Sequence, residues 1–259
     1  MNRRTAIGLT SSLVFGLSSR ERALAAGSVV VYAAGSLTEA FTAAEPVFTQ
    51  KTGIVATFNF GGSDMLATQL TQGAPADVFA SANTVQMKVV TNAGLGLGTP
   101  RVFARNRIVL ITPKSNPGGV TGLASLMKPG TKVVLAEPAE PVGIYAREAF
   151  KKLSGNGYPA DFAADVERNV VSNEINEKAV AVKISLGEGD AGVVYSTDVT
   201  PDLAPQVNVF PFPPGLTPDL IYPIVALKGA TNAANAQAFV SFVLTDGQAF
   251  LKARGFIAP

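Results

Sequence analysis

The chain of 259 residues contains no cysteine, no histidine and no tryptophan. Without cysteine there is no disulfide, no thiolate nucleophile and no thiol to carry a lipid anchor. Without histidine as well, the usual zinc and copper ligands are gone, and so is every Ser-His or Cys-His nucleophile pair. What remains for catalysis is a carboxylate pair, a Ser-Lys dyad or an all-oxygen metal site, and no EF-hand loop or comparable motif signals one. The expectation is a protein that is not an enzyme and holds no cofactor. Charge is also scarce, at 15% of residues against 47% hydrophobic. That balance argues against disorder and against a nucleic-acid-binding surface.

Long hydrophobic runs are missing too. The opening "MNRRTAIGLTSSLVFGLSSRERALAAGS" has an apolar run broken by Ser and Gly, short of the roughly 20 residues that a membrane span needs. Arg3 and Arg4 precede it and Ala23-Leu24-Ala25 follows, the layout of a secretory leader cut after Ala25. The expected leader is therefore residues 1–25, exported by the Sec or the twin-arginine route. Its removal takes Arg3, Arg4, Arg20, Arg22 and Glu21 from 21 basic and 19 acidic residues, leaving 17 and 18. The mature net charge is −1 rather than +2, so charge points to no polyanion or membrane partner. Export without a lipid anchor points to the periplasm or to secretion.

What is present is alternation of strand and helix. "SVVVYAA" reads as a strand and "LTEAFTAAEPVFTQKTG" as a helix with apolar residues three and four apart. "IVATFNFGG" is a strand, "SDMLATQLTQG" a helix from Ser63, and "APADVFASAN" a short buried strand leading into another helix. A second series starts with "RNRIVLITPK", read as one uninterrupted strand. It runs through "KVVLAEPAEPVGIYAREAFKKLSG" and "ERNVVSNEINEKAVAVKISLGEGDAGVVYSTDVT". A Pro-rich stretch, the strand "IYPIVALKG" and one last helix, "NAANAQAFVSFVLTDGQAFLKARG", complete it. Such spacing predicts an α/β fold with parallel sheet in βαβ units.

Three segments share one design, a strand end, a Gly or turn, then a helix start: "VYAAGSL", "FNFGGSD" and "AEPAEPVGIYAREA". The carboxyl ends of strands in such sheets gather around one crevice. Helix N-termini there present unpaired N–H groups and about half a positive charge, so several together bind an anion without Lys or Arg. Ser36 and Ser63 add hydroxyls, although a serine at a helix start is most often its N-cap. Tyr195 ends the strand "AGVVY".

"AAGSLTEAF", "GAPADVFASA", "PVGIYAREAF", "EKAVAVKISLGEGDAGVVYSTDV" and "FLKARGF" together resemble the periplasmic molybdate-binding proteins of ABC importers, over essentially the whole mature chain. The resemblance implies a two-lobed periplasmic-binding-protein fold of type II with a hinge of two crossing strands. It also implies a periplasmic monomer that closes over molybdate or tungstate and docks on an inner-membrane ABC permease. Lobe I is expected at 26–105 and 226–259, lobe II at 106–225. The family's donors fall on Ser36 and Ser63, on the backbone of Val142 and of Glu177, and on the Tyr195 hydroxyl. Tungstate or sulfate preference is the alternative. Asp64 and the Glu177 side chain are expected to point away, because a carboxylate facing a dianion opposes it by several kcal/mol at low effective dielectric.

Overall fold

The apolar run Ser28–Ala34 forms β1, whose alternate residues Val29, Val31 and Ala33 are fully buried. The computed structural model describes residues 27–259, so the expected leader lies outside the described residues. From β1 the chain continues through α1 (Thr38–Thr52), β2 (Val55–Gly61), α2 (Ser63–Thr71), β3 (Val78–Ala80), α3 (Thr84–Asn92) and β4 (Gly96–Asn106). The second series is β5 (Ile108–Pro113), β6 (Val133–Ala136), α4 (Pro141–Leu153), α5 (Phe162–Arg168), β7 (Val170–Glu174), α6 (Glu177–Ser185), β8 (Ala191–Tyr195) and β9 (Val207–Pro211). Strand β10 (Leu220–Leu227) and helices α7 (Ala233–Leu244) and α8 (Gln248–Ala253) complete it.

Two five-stranded sheets result, ordered β2-β1-β3-β10-β4 and β7-β6-β8-β5-β9. Each contains three parallel strands extended by two more through antiparallel pairings. The parallel βαβ expectation therefore holds for half of each pattern and misses the antiparallel additions. The chain passes from the first sheet to the second between β4 and β5 and returns between β9 and β10. These are the two crossings of a two-lobed type II binding-protein fold.

Three local readings are corrected. "RNRIVLITPK" is not one strand, because the Asn106 side chain accepts from the Arg107 amide at 2.8 Å and the ladder restarts at Ile108. The last helix is two, because the Gly247 amide turns back to the Phe242 carbonyl at 2.8 Å. The Pro-rich stretch contains the edge strand β9. Pro223 sits inside β10, between β3 and β4, where it can donate no ladder bond. The register shift at Tyr222/Pro223 accommodates it.

In the first lobe Phe41, Phe48 and Phe239 form the aromatic centre, with edge-on ring pairs 5.7 and 5.2 Å apart. Phe150 and Phe162 do the same in the second at 6.0 Å. Such rings bury large apolar area in a preferred geometry, which holds the strand ends rigidly around the crevice.

Candidate functional site

The carboxyl ends of β1, β2, β3, β6, β7 and β8 lead directly into the elements that form the crevice. After β1 the chain makes a single 3-10 turn, Gly35–Leu37, and α2 begins at Ser63 with Gly62 before it. Neither serine caps its own helix. Instead Ser36 Oγ pairs with the Tyr222 hydroxyl at 3.0 Å, and Ser63 Oγ accepts from the Ala82 amide at 3.0 Å. Asn106 Nδ2 donates to Tyr222 at 3.2 Å, so Tyr222 can pass its own proton to Ser36. Both serines then keep a hydroxyl proton to donate. Tyr195 is fully buried and its hydroxyl has no partner among the described residues. Three O–H donors are thus available in the crevice, although unsatisfied buried hydroxyls are costly.

The helices of the second lobe arrive with their amides occupied by carboxylates. Glu140, the N-cap of α4, accepts from the Val142 amide at 2.7 Å and the Gly143 amide at 3.3 Å. Glu177, the first residue of α6, turns its side chain inward, and Oε1 is buried without a partner among the described residues. A methyl group built on Gly35 would lie 2.5 Å from that oxygen, so any larger residue there would displace the Glu177 carboxylate. One built on Gly62 would lie 2.8 Å from both Asp64 Oδ1 and the Ile175 carbonyl, the point where the lobes touch. Across the same cleft the Tyr145 hydroxyl donates to the Ala82 carbonyl at 3.3 Å, and Gln86 Nε2 to the Ala139 carbonyl at 2.9 Å.

Burial pushes the Glu140 carboxyl well above the usual carboxylate range, and the charges of Glu177 and Asp64 push it further. Burial raises Glu177 to about 7, against the pull of its own amide, of Lys178 and of the Ser36 amide. Burial likewise raises Asp198, whose Oδ2 accepts from the Tyr195 amide at 2.8 Å, and it holds Tyr195 and Tyr222 protonated. Lys178 is paired with Glu39 at 2.6 Å. Among the described residues, no group of three or more carboxylates is placed to hold a metal ion.

A family model described as bacterial extracellular solute-binding protein matches residues 29–257. The chain belongs to that family. This solute-binding protein is 38% identical to the molybdate-binding protein ModA of Mycobacterium tuberculosis, across 90% of this chain and 86% of the relative. Its fold is similar to the substrate-binding domain of a putative molybdenum ABC transporter from Clostridium difficile (TM-score 0.66, 26% identity, 90% and 99% coverage). It is also similar to the periplasmic molybdate-binding protein of Azotobacter vinelandii (TM-score 0.74, 20% identity, 89% and 99% coverage).

In the solute-binding protein the five expected positions, Ser36, Ser63, Val142, Glu177 and Tyr195, are all buried at the strand and helix ends that border the crevice. Two expectations fail. The Glu177 side chain faces the crevice, and Asp64 turns one buried oxygen inward and acts electrostatically on Glu140. The reason is that the free amides of a helix start attract a carboxylate as they would any anion. Sequence reasoning missed Tyr222 and Asn106, which orient Ser36. It also missed Glu140 as the N-cap of α4. The Glu-Pro pair was a usable signal, since proline favours the first helical position and makes the residue before it the N-cap.

Proposed function

We propose that the protein captures molybdate, with tungstate as an equivalent ligand, in the periplasm and presents it to an inner-membrane ABC permease. Identity of 38% over nine-tenths of the chain to a protein named for molybdate binding carries this reading. The donor chemistry supports it. Ser36, Ser63 and Tyr195 supply hydroxyls, and the Val142 and Glu177 amides at the starts of α4 and α6 join them once the Glu140 and Glu177 carboxylates release them. Charge-assisted bonds of this kind contribute about 1.5–3 kcal/mol each, enough together to hold an oxyanion without a cationic side chain. One chain carries every donor, so the site is complete in a monomer. The anion bridges both lobes and favours the closed state, which the permease recognises. The ligand undergoes no chemistry.

Isothermal titration of the mature protein with molybdate, tungstate, sulfate and phosphate tests the reading. Molybdate and tungstate should bind with submicromolar Kd and sulfate far more weakly. Tight phosphate binding with no response to molybdate would refute it.

A further inference from the structure

We propose that Glu140 and Glu177 are specificity-determining residues of the oxyanion site, and that the dianion enters together with a proton that neutralises one of them. The inference rests on the molybdate reading above and adds how the site reconciles an anion with its own carboxylates.

The geometry sets the problem. The Val142 amide expected to meet the ligand already donates to Glu140 Oε2 at 2.7 Å, and the neighbouring Gly143 amide donates to the same oxygen. Glu177 presents its unpartnered Oε1 against Gly35, at the turn that carries Ser36. Asp64 faces Glu140 from α2, and Asp198 faces Glu177 from the end of β8. The remaining titratable groups around the pair are Tyr145 on α4, Tyr195 on β8 and Tyr222 on β10, with Lys178 and Glu39 as an ion pair at the edge. Lys178 is the one cation acting on Glu177, and Glu39 already holds it.

An ionised carboxylate is only an acceptor, so it meets an oxyanion oxygen with repulsion and no hydrogen bond. A protonated carboxyl gains an O–H donor. One proton added to Glu140 or Glu177 therefore converts an opposing group into a further ligand contact. Burial already holds both groups above the ordinary range, and a neighbouring dianion raises them again. The balance is one carboxylate, one proton and one oxyanion giving one carboxyl hydrogen-bonded to the oxyanion. No bond of the ligand breaks.

Titration of the mature protein with molybdate at about pH 6 and about pH 8, in two buffers of different ionisation enthalpy, counts the protons taken up. With one proton absorbed, affinity should tighten up to about tenfold for each unit of falling pH. Glu140→Gln and Glu177→Gln, amides that never ionise, should each tighten binding at pH 8 and reduce the proton count. A role for Glu140 limited to capping α4 would lower the melting temperature of its variant and leave the proton count unchanged, and that result overturns its part. Tight molybdate binding with no proton uptake and the same Kd at both pH values overturns the proposal and leaves the molybdate reading standing. Absence of molybdate binding at either pH removes both.

Discussion

At the scale of residues, the crevice works through hydroxyls whose accepting lone pairs are engaged and whose protons are not. Ser63 accepts from Ala82 and Ser36 meets Tyr222, so each is aimed by a neighbour rather than by its own helix. Ser36→Ala or Ser63→Ala should therefore weaken molybdate binding at least tenfold, the loss of one charge-assisted bond of about 1.5 kcal/mol or more, measured by titration. Unchanged affinity in both variants would show that the anion sits elsewhere. The two serines were legible in the sequence because each follows a strand and a glycine. Their orienting partners were not, because Tyr222 lies 186 residues from Ser36 and Asn106 lies 116 from Tyr222. Such pairings come from the return of β10 to the first sheet, which no local pattern encodes. The Glu177 side chain, expected to point away, turns inward instead. Repulsion from a dianion argued for pointing outward, but in the folded chain the amides at the start of α6 and at Ser36 attract the carboxylate.

At the scale of elements, the helix starts are the functional parts, and those of α3, α4 and α6 are each fixed by a side-chain cap. Asn83 accepts from the Gln86 amide at 2.8 Å, Asn176 from the Ala179 amide at 2.9 Å, and Glu140 from two amides of α4. The Asn176 cap engages the third amide of α6 and leaves the first, that of Glu177, to the Glu177 carboxylate. Asn176→Ala should cost about 1 kcal/mol and lower the melting temperature by about 2–4 °C for a protein of this size, as read by thermal unfolding. No change would mean that water replaces the cap. Long periodic helices and buried strands such as α1, β1 and β6 were legible because burial imposes their pattern. The break at Arg107 and the turn at Gly247 were not, because each depends on one hydrogen bond, from the Arg107 amide to the Asn106 side chain and from the Gly247 amide to Phe242.

At the scale of the whole molecule, closing two lobes around this crevice buries carboxylates that an unfolded chain would leave in water. Glu140, Glu177 and Asp198 all have their affinity for protons raised by burial in the folded state. A group whose folded pKa exceeds its unfolded value binds more protons when folded, so stability is fully present below the unfolded pKa and is lost as pH rises through the folded one. For Glu177 the window runs from 4.5 to about 7, a difference worth on the order of 3 kcal/mol. Glu140 extends the loss in the same direction. The ligand-free protein should thus melt at progressively lower temperature as pH rises from about 5 to about 8, and saturating molybdate should raise the melting temperature throughout while steepening the decline. The rise comes from binding to the folded state alone, and the steeper slope from the extra proton that the complex holds and the free protein does not. Glu177→Gln should remove part of the slope in the free protein, because its amide never ionises. Scanning calorimetry of both proteins across that range decides the matter. A melting temperature that rises with pH in the free wild type would mean that the carboxylates leave the crevice when no anion is bound.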